Sequence, residues 1–292
     1  MKPAPFEYFS PVTLEKAIAL LEEYGVEAKL LAGGQSLIPL MNMRLAAPEY
    51  IIDINKISEL DYIREGENHL EIGALTRHQT ICSSDLVRKR CALLSEAAKH
   101  IAHRQVRHRG TIGGSVAHAD PASEFPTVVT ALDGEIKLVS PEGERWVKAE
   151  EFFFGYLMTT IEPVEMLTSI RLPIPPVDSG FSVQEIARKE NYFAIAGAVC
   201  SLVVDGDKII KVDLGLMGVG PIPLKPRQAE ELLAGKVFSD TVAEEAATLA
   251  SEATEPESDL HGSEVYRREM TKVLTKRALR EAFRKATGGG GR

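Results

Sequence analysis

The stretch Ala32-Gly33-Gly34-Gln35-Ser36-Leu37 decides the reading of this chain, because it returns in altered form at Thr111-Ile112-Gly113-Gly114-Ser115. Each copy sets a glycine pair behind an apolar residue and ahead of hydrogen-bonding side chains. Glycine admits positive φ and lets the backbone approach a ligand closely. Successive amides in such a turn form an anion-binding concavity. Ser36 and Ser115 would add hydroxyl donors, so two such loops could hold a pyrophosphate from both sides. Taken singly, each pair reads first as a tight turn, and only the recurrence puts the ligand-binding reading on a level with it. Neither fits the GxGxxG dinucleotide fingerprint or the P-loop lysine pattern. Gly215-Leu216-Met217-Gly218-Val219-Gly220 has its glycines in the wrong order for the fingerprint and reads as a glycine-rich strand end.

The pattern around the first loop is mixed. Thr13–Tyr24 predicts an amphipathic helix, with Leu14, Ala17, Ile18 and Leu21 on one face and Gly25 as its stop. Lys29–Ala32 and Ile51–Ile54 predict short buried strands, and Ser36 is placed to cap a helix. A hairpin is expected from Tyr62–Arg64 and Leu70–Gly73. Thr76-Arg77-His78-Gln79 fits a capping box for a helix to Ser83, with a second helix over Cys91–Ile101. Past the second glycine pair come a helix near Ser123–Leu132, a hairpin of Glu135–Val139 with Arg145–Val147, and a strand over Leu167–Leu172. Pro173-Ile174-Pro175-Pro176 cannot join a central strand, which places a boundary there. Strands over Phe181–Arg188, Ala196–Val204 and Lys208–Met217, then helices near Pro226–Leu233, Thr241–Ala253 and Ser263–Ala286, predict a separate α+β unit. The division expected is residues 1–55, 56–176 and 177–287, with a flexible glycine tail over 288–292.

Composition narrows the function. The chain has 292 residues and a net charge of -8, with 44% hydrophobic and 26% charged residues, the balance of a folded protein with a sizeable core. An acidic balance argues against nucleic acid as a partner. The longest apolar runs fall well short of a membrane span. The N-terminus lacks a signal pattern, so a cytoplasmic location is expected. Cys82, Cys91 and Cys200 are scattered, which excludes a CxxC knuckle, a disulfide framework and an iron–sulfur cluster held by this chain alone. His100 and His103 share a helix face near His108 and His118, but no Cys or carboxylate stands at zinc spacing, so no metal site is expected.

Five ordered motifs are similar to the FAD-binding medium subunit of the molybdenum hydroxylases, the group of carbon monoxide dehydrogenase, quinoline oxidoreductase and xanthine dehydrogenase. They are Ala32 to Ser36, Arg109 to Ser115, Ala117-His118-Ala119-Asp120-Pro121-Ala122-Ser123-Glu124-Phe125-Pro126, Arg188 to Ala194, and Ser258 to Arg267. The resemblance covers nearly the whole chain. It implies an α+β architecture: two FAD-binding subdomains of the vanillyl-alcohol oxidase type, then a smaller C-terminal domain. It implies that Ala32, Gly33, Gly34, Gln35, Ser36 and Leu37 wrap the FAD pyrophosphate. Thr111, Gly113, Gly114, Ser115 and Ala117 would border the same region, with Asp120 near the cofactor. Glu124 stands where the family often has Asp, near the adenosine. Leu167 falls at an apolar position beside the isoalloxazine or adenine. Lys189 lies close to the flavin, and Phe193 falls where relatives often carry Tyr, with Tyr192 adjacent. Read without the family, Leu167 and Phe193 would be core, Arg188-Lys189 a solvated pair, and Asp120 a turn starter.

The resemblance further implies non-covalent FAD. A small subunit would carry [2Fe–2S] clusters and a large subunit a molybdenum–pterin centre, assembled as a dimer of heterotrimers. The external acceptor would be a quinone, NAD or oxygen. The rival expectations are a stand-alone flavin oxidoreductase of the same FAD fold, or a scaffold subunit without FAD.

Overall fold

The computed structural model describes residues 2–288, so the glycine tail expected to be flexible lies outside the described residues except at Gly288. The first layer is a small parallel sheet. Strand β1 (Glu7–Phe9) leads to helix α1 (Leu14–Tyr24), β2 (Ala28–Leu31), α2 (Leu37–Asn42) and β3 (Tyr50–Asp53). The sheet order is β1-β3-β2, and every pairing is parallel. Parallel neighbours need crossovers, which α1 and α2 supply. Helix α1 forms as its periodicity dictates. Thr13 accepts from the Lys16 amide, Gly25 ends the helix at φ 50°, and Ala17, Ile18 and Leu21 are buried. The short β1 was not foreseen, because three residues with an exposed edge carry little periodicity. The first glycine loop leaves the carboxyl end of β2, and Asn55 follows the carboxyl end of β3. That is where open α/β sheets leave a crevice.

The second layer is a five-stranded antiparallel sheet. Its strands are β4 (Ile63–Glu65), β5 (His69–Gly73), β6 (Glu135–Ser140), β7 (Gly143–Lys148) and β10 (Met166–Pro173), ordered β4-β5-β10-β6-β7. Helices α3 (His78–Ser83), α4 (Asp85–Arg90), α5 (Ala92–His100), α6 (Arg104–Arg107), α7 (Ile112–His118) and α8 (Glu124–Ala131) lie between β5 and β6. The buried core joins the two elements through Leu70, Ile72, Ile136, Leu138, Ile170 and Leu172 of the sheet and Leu94, Ala97, Ile112, Val116, Phe125 and Val128 of the helices. Helix α9 (Ala149–Phe152) and the short hairpin β8 (Phe153–Gly155) with β9 (Met158–Thr159) complete this part.

The capping box expected at Thr76 does not form. The N-cap of α3 is Arg77, and the buried Thr76 hydroxyl instead donates to the Tyr62 carbonyl at 2.9 Å. A buried hydroxyl must find a partner, and the β4 side offers one. Ser36 stands at the N-cap of α2 as expected, but its side chain makes no capping bond.

The last layer is a meander of β11 (Gly180–Ala187), β12 (Ala194–Asp205) and β13 (Lys208–Met217), all antiparallel. Helices α10 (Arg227–Leu233), α11 (Asp240–Glu252) and α12 (Glu264–Ala286) cover one face. Buried Ala198, Cys200, Leu202, Leu214 and Leu216 meet Ala243, Ala246, Leu274, Ala278 and Ala282. The small alanines let α11 and α12 lie close to the sheet. Among the described residues no helix is long and apolar enough to cross a membrane.

Candidate functional site

The two glycine loops meet, but they are not equivalent. In the first loop, none of the amides of Gly33, Gly34, Gln35 and Ser36 donates to an acceptor within the described residues. Gly34 takes φ 71°, and the Gln35 side chain folds back to donate to the Gly33 carbonyl at 3.0 Å. The result is a run of free donors in a left-handed turn, the geometry of an anion nest. It borders a cavity of about 410 Å³ lined by Leu31, Gly33, Gly34, Gln35, Ile38, Pro39, Asn42 and Arg109. A Cβ on Gly33 would stand 2.3 Å from the Arg109 carbonyl oxygen, so the first loop touches the chain just ahead of the second.

The second loop is the start of α7, and its amides are already engaged. Ile112 donates to the Thr76 carbonyl (3.0 Å), Gly113 to the Ala74 carbonyl (2.9 Å), Gly114 to the Thr111 hydroxyl (3.2 Å) and Ser115 to the Thr111 carbonyl (3.0 Å). The expected second amide cradle is therefore absent, because the helix and the end of β5 consume those donors. The glycine pair serves two purposes. Gly113 is buried, and a Cβ there would stand 2.5 Å from the Ala74 Cβ, so it allows α7 to pack on β5. Gly114 is exposed and faces the first loop, with Ala32 Cβ 4.0 Å from the position its own Cβ would take. Ser115 is half-buried, while Ala117 is exposed one turn further along α7.

The remaining expected residues form other groups. Asp120 accepts from the Ala122 amide at 2.9 Å, the turn-starting role its sequence suggested. Glu124, in the first turn of α8, has its carboxyl pushed up to about 8 by burial, with the nearby Glu185 carboxylate adding to the rise. Glu185 in turn stands 3.3 Å from His100 Nδ1, and that contact raises the histidine. Leu167 is buried in β10 as part of the hydrophobic core. Lys189, Tyr192 and Phe193 lie in the exposed loop between β11 and β12. Lys189 Nζ is 5.1 Å from the Tyr192 ring centre, and the two rings meet edge-on at 5.8 Å. No hydrogen bond or ring contact joins this loop to the glycine loops among the described residues.

Asn55, Arg77 and Arg109 were missed. Asn55 Nδ2 donates to the Ala32 carbonyl (2.7 Å), and its Oδ1 accepts from Arg77 Nη2 (2.7 Å). Arg77 Nη1 donates to the Arg109 carbonyl. Arg109 itself is exposed and lines the cavity. Its position directly ahead of the second glycine motif was the available signal. The other two are brought in only by the folding of β3 and α3 against the loops.

The Ser258–Arg267 motif proves to be a staple. Arg267 is buried, and its guanidinium donates to the Ile195 carbonyl (2.5 Å), the Gly218 carbonyl (2.9 Å) and Asp259 (2.7 Å). Asp259, held down to about 2 by that guanidinium and by the His261 and Gly262 amides it accepts from, closes its own turn. Gly218 donates to the Pro121 carbonyl at 2.9 Å, which ties the Asp120 turn to the last sheet. Cys91 and Cys200 are buried. Among the described residues no group of three His, Cys, Asp or Glu side chains is arranged to hold a metal ion.

A glycine-loop cradle at the carboxyl ends of a parallel sheet, backed by an antiparallel sheet, defines a dinucleotide-type cofactor domain followed by an α+β domain. Residues 4–175 match the FAD binding domain in molybdopterin dehydrogenase, and residues 181–282 match the CO dehydrogenase flavoprotein C-terminal domain. The chain belongs to the FAD-binding medium-chain family of the molybdenum hydroxylases, and so is an oxidoreductase subunit.

It is 40% identical to the carbon monoxide dehydrogenase medium chain of Hydrogenophaga pseudoflava over 97% of this chain and 99% of that one. It is 36% identical to the 6-hydroxypseudooxynicotine dehydrogenase complex subunit alpha of Paenarthrobacter nicotinovorans over 98% of this chain and 97% of that one. The solved carbon monoxide dehydrogenase of Hydrogenophaga pseudoflava superimposes with a TM-score of 0.96, covering 98% of this chain and 99% of that chain at 40% identity. Quinoline 2-oxidoreductase of Pseudomonas putida 86 gives 0.94, covering 98% and 100% at 34% identity.

Proposed function

We propose that this chain binds FAD non-covalently between its two glycine loops and acts as the flavin subunit of a molybdenum hydroxylase complex in the cytoplasm. The observation that carries the reading is the run of unengaged amides from Gly33 to Ser36, in the loop whose first residue, Ala32, stands across a gap from Gly114. Those donors fit a pyrophosphate: a doubly anionic group satisfies several amides that otherwise have no partner, and hydrogen bonds to an anion are the strong kind. The exposed Arg109 at the cavity adds local positive charge to an otherwise acidic chain. Gly114 and Ser115 would form the opposite wall by contact, with their amides kept for α7. When bound, FAD would supply the redox chemistry, between [2Fe–2S] clusters of a small subunit and a quinone, NAD or oxygen as acceptor. The molybdenum–pterin centre would lie in a large subunit, and the assembly would be a dimer of heterotrimers.

What this chain's own residues do is bind, orient and exclude water. The division proposed is residues 1–55 and 56–176 for the two cofactor subdomains and 177–287 for the C-terminal domain. Asp120, Glu124, Leu167, Lys189, Tyr192 and Phe193 are proposed to line the rest of the cofactor. Lys189 and the two aromatic side chains project from the exposed β11–β12 loop, and burial pushes the Glu124 carboxyl up to about 8, which favours its proton-holding, donating form. Full-length similarity to chains named as a medium chain or a complex subunit favours the complex over a stand-alone flavin enzyme. Relatives of this one chain type carry names for carbon monoxide, 6-hydroxypseudooxynicotine and glyceraldehyde, which supports placing the organic substrate in another subunit.

The purified chain is expected to be yellow and to release FAD on denaturation. A colourless chain that takes up no added FAD would refute the flavin reading. Affinity purification from the native host should recover a molybdenum subunit and an iron–sulfur subunit. Recovery of neither would favour the stand-alone enzyme.

A further inference from the structure

The contact between the glycine loops is held by two side chains that come from outside both of them. Asn55, just past β3, donates from Nδ2 to the carbonyl of Ala32, the residue that opens the first loop. Arg77, at the start of α3, donates from one arm to Asn55 Oδ1 and from the other to the carbonyl of Arg109, two residues ahead of Thr111. One continuous chain of hydrogen bonds therefore runs from the first loop through Asn55 and Arg77 to the second.

Its far end is anchored. Asn55 also donates to Asp53 Oδ1 at 2.6 Å through its side chain and at 2.9 Å through its amide. Asp53 Oδ2 accepts from the Tyr8 hydroxyl at 2.5 Å, which ties the network to β1. Both Asn55 and Arg77 are half-buried. Arg77 has a fixed fork of donors and here spans two acceptors at once, a geometry that lysine cannot reproduce with its single nitrogen.

The loops need such a device. Gly33 lies against the Arg109 carbonyl with no room for a Cβ, whereas Gly114 and Ala32 stay apart by the width of a methyl group. The loops thus touch at one point and must be held open at another. No hydrogen bond joins residues 32–37 directly to residues 109–115 among the described residues. Asn55 and Arg77 bridge that gap from behind.

We propose that Asn55 and Arg77 are positioning residues that fix the separation of the two glycine loops and thereby set the affinity for the FAD pyrophosphate. The inference rests on the flavin reading above. Neither side chain needs to touch the cofactor. Each acts through a backbone carbonyl of a loop, so its effect is on the shape of the cradle before FAD arrives.

The test uses the full chain stripped of FAD. It measures the FAD dissociation constant by quenching of flavin fluorescence, the visible circular dichroism of bound flavin, and the melting temperature of the apoprotein. Arg77→Met keeps the length and loses both donors, and is expected to weaken FAD binding about tenfold to a hundredfold, the range for supporting residues one layer behind a ligand. Asn55→Asp keeps the shape, loses the donor to Ala32 and sets a second carboxylate beside Asp53, with a similar loss expected. Arg77→Lys should restore part of the affinity. The double variant Asn55→Asp/Arg77→Met should be no weaker than the worse single one, because the two act as a unit. The apoprotein melting temperature should hold while affinity falls and the flavin dichroism changes.

Wild-type affinity in both single variants would overturn the proposal. So would a loss of affinity that only tracks a fall in apoprotein melting. If Arg77→Met fails to fold, Asn55→Asp carries the same test. Absence of FAD binding by the wild-type chain is a separate result, and it removes the flavin reading itself.

Discussion

Replacing Gly114 by alanine separates cofactor binding from folding. Gly114 sits in the first turn of α7, where alanine is the better helix former by about 0.5–1 kcal/mol. Against that gain, the new Cβ would stand 2.8 Å from the Thr111 hydroxyl, which caps the Gly114 amide. A side-chain oxygen can rotate away, at a cost of about 1 kcal/mol if the cap is lost. The two effects oppose each other, so the apoprotein should keep its stability to within about 1 kcal/mol, or a few degrees in melting temperature. The methyl also closes the passage between the loops, because Ala32 Cβ is 4.0 Å away and that is ordinary carbon–carbon contact. No phosphate oxygen can then pass between Ala32 and residue 114. We expect FAD affinity to fall at least about 100-fold, close to 2.8 kcal/mol. The assay is titration of apoprotein with FAD beside thermal melting of the same samples. Full FAD occupancy in Gly114→Ala at unchanged stability would refute the placement of the cofactor between the loops.

Gly33→Ala should behave differently: its Cβ meets the Arg109 backbone at 2.3 Å, so stability should drop by about 1–3 kcal/mol in a urea melt even without FAD. Glu124 gives a pH signature. Its folded carboxyl is raised to about 8 from an ordinary 4.5, so the native state holds the extra proton between those values and stability falls as pH rises through that window. The raised His100 pushes the same way, losing its stabilisation as pH rises above the ordinary histidine range. Glu124→Gln should therefore flatten, without abolishing, the decline in melting temperature between acid and mildly alkaline pH. Arg267→Met removes three hydrogen bonds and leaves the Ile195 and Gly218 carbonyls unmatched. A loss of about 3 kcal/mol is expected by chemical denaturation.

Local order was legible wherever one segment carries its own signal. The face of α1, its Thr13 and Gly25 ends, the β6–β7 hairpin and the C-terminal meander with its covering helices follow from period and turn chemistry, and they form as expected. Strand β1 was not legible, because its three residues pair with β3, far along the chain, and leave no periodic trace; the β8–β9 hairpin is local but too short to show one. The Thr76 box shows the same limit from the other side: the local pattern was right for a cap, and a tertiary acceptor on Tyr62 took the hydroxyl.

The site divides along that line. The sequence by itself determined the family, through five spaced motifs, and with it the FAD-binding character of the chain. It presented the two glycine pairs as alike. Only the tertiary structure decided that they differ. Whether an amide is free depends on what lies within about 3 Å of it, and α7 and β5 occupy every donor of the second pair while leaving the first pair open. The same reasoning brings Asn55 and Arg77 to the loops. They are 22 residues apart from each other in the chain, and only the meeting of the β3 end with α3 places both behind the cradle.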